Sequence, residues 1–387
     1  MGGSMSRFAV SLAAASFALA AAAPVAALDD VQRYVFVPNR ASADVAIIDT
    51  KSDTVVAHAG TGQVPHQVAI SDTLGRLVAS NTADDTVTIV DLDSLATVAT
   101  VTLGHEPEHM EIDPLGETVA IGNIGEGTVS LLSLRHARET HRVTGLYQPH
   151  NMTFSPDGRL LYVANLGANL VSVIDVTAGE LTNEIAIGES VRLASAAGAD
   201  DYQGVINVTA TPDGRFGFAA YGEGDEMAVI DLGTQAQVAT IALGDLPWRA
   251  FATADGRYMI VPNNGDETVS IVSTTTFEEV ARLPGAADMT GVNTGWFETT
   301  AFVLSRGDDK AVVIDLERLE RVGEIALPST PETGVTTPDG LKLYIALSGS
   351  NQVAVIDTRT RALVGLIDDV GEEPWGAHMI GALNYCH

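Results

Sequence analysis

A fixed period of 42 residues runs through this 387-residue chain. A short apolar run ending in Asp or Ser recurs at 46–49, 88–91, 130–133, 172–175, 228–231, 270–273, 312–315 and 354–357. The steps between the terminal residues are 42, 42, 42, 56, 42, 42 and 42. Self-similarity at such a period marks a repeat architecture, in which equivalent positions of successive units become equivalent positions in space. Hydrophobic residues make up 46% of the chain and aromatics only 5%. Val, Ala and Ile therefore do the packing, as expected of many short strands.

One unit can be read in detail. Pro149 to Ser155 alternates as a strand, and Pro156-Asp157-Gly158-Arg159 is a turn signal. Leu-Leu-Tyr-Val-Ala-Asn at 160–165 is a second strand, 170–175 a third and 181–187 a fourth. Four antiparallel strands with tight turns, repeated, describe a β-propeller blade. The second-to-fourth-strand unit occurs eight times, and so does a leading strand. The chain opens with a unit that has no leading strand and closes with a leading strand that has no unit. Residues 375–380 are therefore expected to pair with the sheet of 34–59 and to close the ring without an open edge. The expectation is an all-β, single eight-bladed β-propeller, with seven blades as the alternative if one terminal repeat is irregular.

Tyr162-Val163-Ala164-Asn165, followed by Val171-Ser172-Val173-Ile174-Asp175 and preceded by Ser155-Pro156-Asp157-Gly158, resembles the YVTN-type β-propeller repeat. The likeness covers roughly residues 34–380. An eight-bladed ring of this type is similar to the propeller domain of haem-containing nitrite reductases and to accessory proteins of that haem's maturation. The repeat specifies a fold and leaves the activity open.

Residues 1–27 read as a secretory signal: Ser6-Arg7, an Ala-rich apolar stretch at 8–23, and Val25-Ala26-Ala27 as a small-residue cleavage site. The stretch is shorter than the roughly 20 strongly apolar residues of a membrane span. The expectation is a periplasmic or secreted protein whose propeller occupies 28–387, monomeric and with no membrane span. A formal net charge of −29 excludes nucleic acid as a partner and favours cations or basic proteins, although adaptation to a salty medium gives the same balance. Cys386 is the single cysteine, so no intrachain disulfide forms. Leu383 stands where Cys-x-x-Cys-His requires a cysteine, which excludes covalent c-type haem.

Aligned by the preceding proline or its equivalent, the leading strands place His66, Glu108, His150, Ile206, Trp248, Thr290, Glu332 and Trp375 in a first ring at the channel mouth. Gln67, His109, Asn151, Asn207, Arg249, Gly291, Thr333 and Gly376 form a second. His66, Glu108 and His150 fall in three consecutive blades, a donor set suited to zinc or copper. His109 or His105 is a candidate extra ligand, and His378 stands three residues below the first ring. Cys386-His387 is a second soft pair at the tail. Trp248, Arg249 and Trp375 suit a planar or anionic ligand, and the resemblance to haem-holding propellers makes haem the alternative cofactor. Packing of the tryptophans between blades, with Arg249 paired to Glu332 or another acid of the ring, is the structural alternative. No nucleophile elbow or phosphate loop is present. The reading is an exported accessory or carrier that binds a metal ion or small ligand in its funnel. An oxidoreductase and a ligand-free scaffold for a periplasmic protein partner are the alternatives.

Overall fold

The computed structural model describes residues 28–194 and 202–381. It is an eight-bladed β-propeller. Seven sheets are four-stranded and take their strands in sequence order from the centre outwards, as in Pro107–Ile112, Thr118–Asn123, Thr128–Ser133 and Arg138–Thr144 of blade three. Blade one is Tyr34–Asn39, Asp44–Asp49 and Thr54–Gly60. Its inner edge is covered by the end of the described chain, where Phe36 and His378 exchange backbone hydrogen bonds of 2.8 and 2.9 Å and Trp375 donates to Pro38. On the opposite face Lys342 and Tyr344 of blade eight both bond Asp53 of blade one, which ties the seam a second time.

The repeat residues explain the blade. The asparagine that ends a second strand is buried and bonds the third strand: Asn123 donates to Thr128 and Ser130, and Asn263 to Thr268 and Ser270, all at 2.9 Å. The turn between first and second strands is held by a Ser or Thr hydroxyl and an Asp, as in Thr211 with Asp213, and Gly214 supplies the left-handed position at φ 66°. Alternate strand residues pack into the wedges between neighbouring blades. Met110, Val119, Ile121, Val87 and Ile89 fill one such wedge.

Every leading strand carries the same irregularity. Pro65 faces Asn81, but Val68 faces Ala79, so two residues on the inner strand oppose one on its neighbour. The one-residue shift recurs at 107–110, 149–152, 205–208, 289–291 and 331–334. It recurs at 247–251 and 374–378, where the pairing is reduced to bridges. A bulge re-aims side chains where strict alternation would send one outward. All eight bulges fall on the two ring rows at the channel mouth.

The 14-residue excess over the period lies between blades four and five. Its described part folds back on blade four, with Ala194 donating to Gly167 and the Arg192 amide to Asn169. Residues 195–201 lie outside the described residues.

Candidate functional site

The bulges bring the ring residues of blades one to four together. One ligand atom each from His66, Glu108 and His109 lies within 4.8 Å of the other two. His66 and His109 meet edge-on with ring centroids 5.1 Å apart, and His109 lies 3.8 Å from the ring of His150. His109 Nε2 is 3.9 Å from a Glu108 carboxylate oxygen. The convergent trio thus takes His109 from the second ring row. His150 stands beside it with Nδ1 3.0 Å from the Ile206 carbonyl oxygen. Elsewhere the second row clamps blades together, Gln67 accepting from the Met110 amide and Asn207 from the Ala250 amide. His109 occupies that row with an imidazole ring.

Burial sets the protonation of the cluster. It pushes His66 down to about 3, with Arg40, His150 and His378 acting in the same direction. It pushes His378 to about 3 and His150 to about 4, the latter against its bond to Ile206. These imidazoles are neutral at pH 7, the form a metal requires. Burial raises the Glu108 carboxyl to about 7, and Arg40 opposes the rise.

His105 is placed elsewhere. It is 62% exposed on the rim, with Nδ1 3.0 Å from Asp85, outside the convergent group. Cys386 and His387 lie outside the described residues. Ile380 and Gly381, which lead to them, line a cavity of about 190 Å³ at the far end of the channel, with Asp72, Glu111 and Asp113.

Trp375 and Arg249 do not share a wall. Trp375, on blade one, lies 5.9 Å from His66 and carries the Arg40 guanidinium over its ring at 4.1 Å. Trp248 and Arg249 enter from blade six, where Arg249 covers the Phe251 ring at 4.8 Å and acts through space on His150 and Glu111. Glu332 is held by two other residues. Arg306 approaches it at 3.3 Å and Ser348 donates at 2.6 Å.

Two channel features escaped the two-row reading. The residue just after each second strand forms a third row: Arg40, Thr82, Ile124, Leu166, Gly222, Asn264, Arg306 and Ser348. Several of these reach inward over the next blade, Thr82 to the Pro107 carbonyl and Asn264 to Met289. The same 42-residue count, started at Arg40, would have found it. Glu111 shares the row of His378, three residues below the first ring, and it is the only acid there. It is half-buried facing the channel, and burial pushes its carboxyl up to about 8 against the pull of Arg249.

Residues 68–383 match the family described as the YNCE-like β-propeller. The chain belongs to that family. The seven-bladed β-propeller protein Rv1057 of Mycobacterium tuberculosis is 31% identical over 119 residues, 30% of each chain. The chain therefore aligns with less than a third of that relative's length, and its ring has one blade more. Among solved structures, this YNCE-like propeller is similar to the dihydro-haem d1 dehydrogenase NirN in complex with DHE. The TM-score is 0.74 at 18% identity, over 91% of this chain and 76% of that one. Apo AztD from Citrobacter koseri is similar at TM-score 0.66 and 14% identity, over 91% and 98% of the two chains. Hydrazine synthase of Kuenenia stuttgartiensis is similar at 0.58 and 22%, over 76% and 95%. At these identities the likeness shows the shared fold.

Proposed function

We propose that this protein is an exported propeller that binds a divalent metal ion, zinc or copper, at the mouth of its channel and serves as a carrier or accessory in a periplasmic metal or redox pathway. The observation that carries the reading is the convergence of donor atoms from His66, Glu108 and His109 within 4.8 Å. Two imidazoles and a carboxylate are the donor types that zinc and copper prefer, and three protein donors leave a four-coordinate ion one open position. His150 and His378 sit against this set as further imidazoles.

The electrostatics of the mouth favour a cation. Among the described residues, bases on this face include Arg40, Arg142, Arg192, Arg249, Arg306 and Lys310, with Arg142 paired to Glu126 and Lys310 to Asp308. Acids such as Asp84, Glu106, Glu126, Glu223, Asp266 and Asp308 stand on the rim around them. A cleft rimmed by one sign of charge raises the local concentration of the opposite sign. Export rests on the leader-like segment 1–27. Among the described residues no helix is long and apolar enough to cross a membrane.

The test is metal analysis of untagged protein, followed by titration with zinc and with copper. Stoichiometric binding that is lost in His66→Ala and His109→Ala supports the reading. Absence of binding in the unaltered protein rejects it.

A second reading, a haem-dependent oxidoreductase, draws on the fold shared with a dihydro-haem d1 dehydrogenase in complex with DHE and on Arg249 facing the channel. Visible absorption after incubation with haem separates the two. A protein that stays colourless leaves the metal reading alone. The remaining alternative, a protein-interaction scaffold, predicts a stable partner in a pull-down and no bound metal.

A further inference from the structure

Five of the eight second strands end in asparagine: Asn39, Asn81, Asn123, Asn165 and Asn263. In three of these blades the amide donates to the threonine that opens the third strand, Asn81 to Thr86, Asn123 to Thr128 and Asn263 to Thr268, each at 2.9 Å. Blade five has Tyr221 and Glu226 at these two positions. It is also the blade that follows the 14-residue insertion. Asn169 of blade four pins that insertion, its side chain donating to the Ile187 and Ser190 carbonyls and accepting from the Arg192 amide at 2.6 Å.

The two departures from the repeat meet in one cavity. A pocket of about 550 Å³ lies between them, with Glu189, Ser190 and Arg192 on one wall and Tyr221, Glu226 and Gln237 on the other. Gly188 is left-handed at φ 83°, and a Cβ there would lie 3.2 Å from Glu226 Oε1 and 3.7 Å from the Tyr221 ring. The insertion therefore runs directly against both residues. Tyr221 is buried, and its hydroxyl stands next to that of Tyr202 without a well-formed hydrogen bond among the described residues. Burial raises the Glu226 carboxyl above its ordinary value, and the charge of Glu189 adds to the rise, so the two carboxylates act on each other. The corresponding cavity between blades one and two, about 530 Å³, is lined by Thr86, Thr88, Thr97 and Thr100, and its one acid, Asp84, accepts from the Gln63 amide at 2.6 Å.

We propose that the pocket between blades four and five is a second binding site, separate from the channel mouth, which takes an ammonium or guanidinium group between Glu189 and Glu226 beside the Tyr221 ring. Neighbouring carboxylates are stabilised by a cation between them, and an aromatic ring adds attraction for an organic one. The volume is that of a site for a small molecule or a side chain, well beyond that of a bare ion. Two acids and Arg192 leave one net negative charge, matched to a single cationic group. A chain of net charge −29 draws such ligands from a distance. The cation belongs to a free amine or guanidine, or to a Lys or Arg side chain of a partner protein.

The experiment is calorimetric titration of the full chain with argininamide and, separately, with an acetylated and amidated Gly-Arg-Gly peptide. Glu226→Thr restores the residue used in the other blades, and Glu189→Gln removes a charge at nearly constant shape. Each is expected to weaken binding about 10-fold or more, the scale of a lost hydrogen bond to a charged group. Glu180→Gln removes an exposed acid elsewhere on blade four and should leave affinity within about 2-fold. Circular dichroism confirms that each variant is folded. Tighter binding of the peptide supports the site and assigns the cation to a partner protein; tighter binding of argininamide supports it and assigns a free ligand. Binding of neither, or binding that both glutamate variants retain in full, overturns the proposal and leaves the metal reading untouched.

Discussion

His109 lies against His150 with ring centroids 3.8 Å apart and planes tilted by 43°, although the two residues belong to different ring rows of adjacent blades. The bulge in each leading strand produces this contact. It lets a second-row side chain from blade three and a first-row side chain from blade four meet at one level of the channel.

Replacing either His66 or His109 by Ala is expected to weaken zinc binding by more than about 100-fold, since disturbing even the groups that orient metal ligands costs 10–100-fold. His105→Ala is the matched control. It is exposed and paired with Asp85, so its affinity should stay within about 3-fold of the parent protein, a change typical of loss of a surface charge near a cation site. Competition against a chromophoric chelator reads all three.

Metal affinity should fall as pH falls through about 7. The metal needs the Glu108 carboxylate, and burial has raised that group to about 7, so below this pH a proton competes with the ion. His66 and His150, held at about 3 and 4, stay neutral over the same range and add no slope above pH 5. Titrations at pH 6, 7 and 8 should show release of about one proton per metal at the low end. Glu108→Gln should flatten the profile.

The apoprotein should lose stability on acidification. The unfolded histidines bind protons near pH 6.5, while His66, His150 and His378 in the fold resist protonation until pH 3–4. The folded pKa values are lowered, so this stability is full above 6.5 and is lost as pH falls from there towards the folded values. Each histidine accounts for about 2 kcal/mol at pH 5. Thermal melts at pH 7 and pH 5 should show the loss, and His378→Gln should reduce it.

Copper(II) should quench part of the tryptophan fluorescence. Trp375 lies 5.9 Å from His66, and Trp296 stands in the turn between the first two strands of blade seven, on the face opposite the mouth. Trp248 also stands in the first ring, on blade six, so Trp375→Phe should remove part of the quenching and the Trp375→Phe/Trp248→Phe pair nearly all of it. Quenching that survives the double substitution, carried by Trp296, would place the ion away from the mouth.

Asn123→Ala should destabilise blade three by about 1–3 kcal/mol. Its side-chain amide is fully buried and donates to both Thr128 and Ser130, which are left without that donor. The loss should appear in chemical denaturation and not in metal affinity.

Much of the architecture was legible from the repeat alone. The count of eight units came from the 42-residue spacing and from the incomplete unit at each end. The sequence-level reading also placed His66, Glu108 and His150 in register, because equal spacing in a repeat means equal position in the ring. It left open which of two adjacent row positions faces the channel. A regular strand would send neighbours to opposite sides, and no sequence signal marked the bulge that lets both contribute. His109 therefore entered the ligand set offset by one position from the in-register three. Arg40 was missed because its row begins in a hairpin loop, outside the leading strands on which the alignment was built.

The sequence by itself determined the periodic elements: strands, turns and the buried asparagines that join them, all set by contacts within one or two repeats. Only the tertiary structure decided the chemistry of the mouth, because donor distances, burial and the approach of Arg40 and Arg249 depend on how eight blades close around a common axis. Those contacts link residues from 26 to more than 300 positions apart. They exist only once the ring is shut by Phe36 and His378.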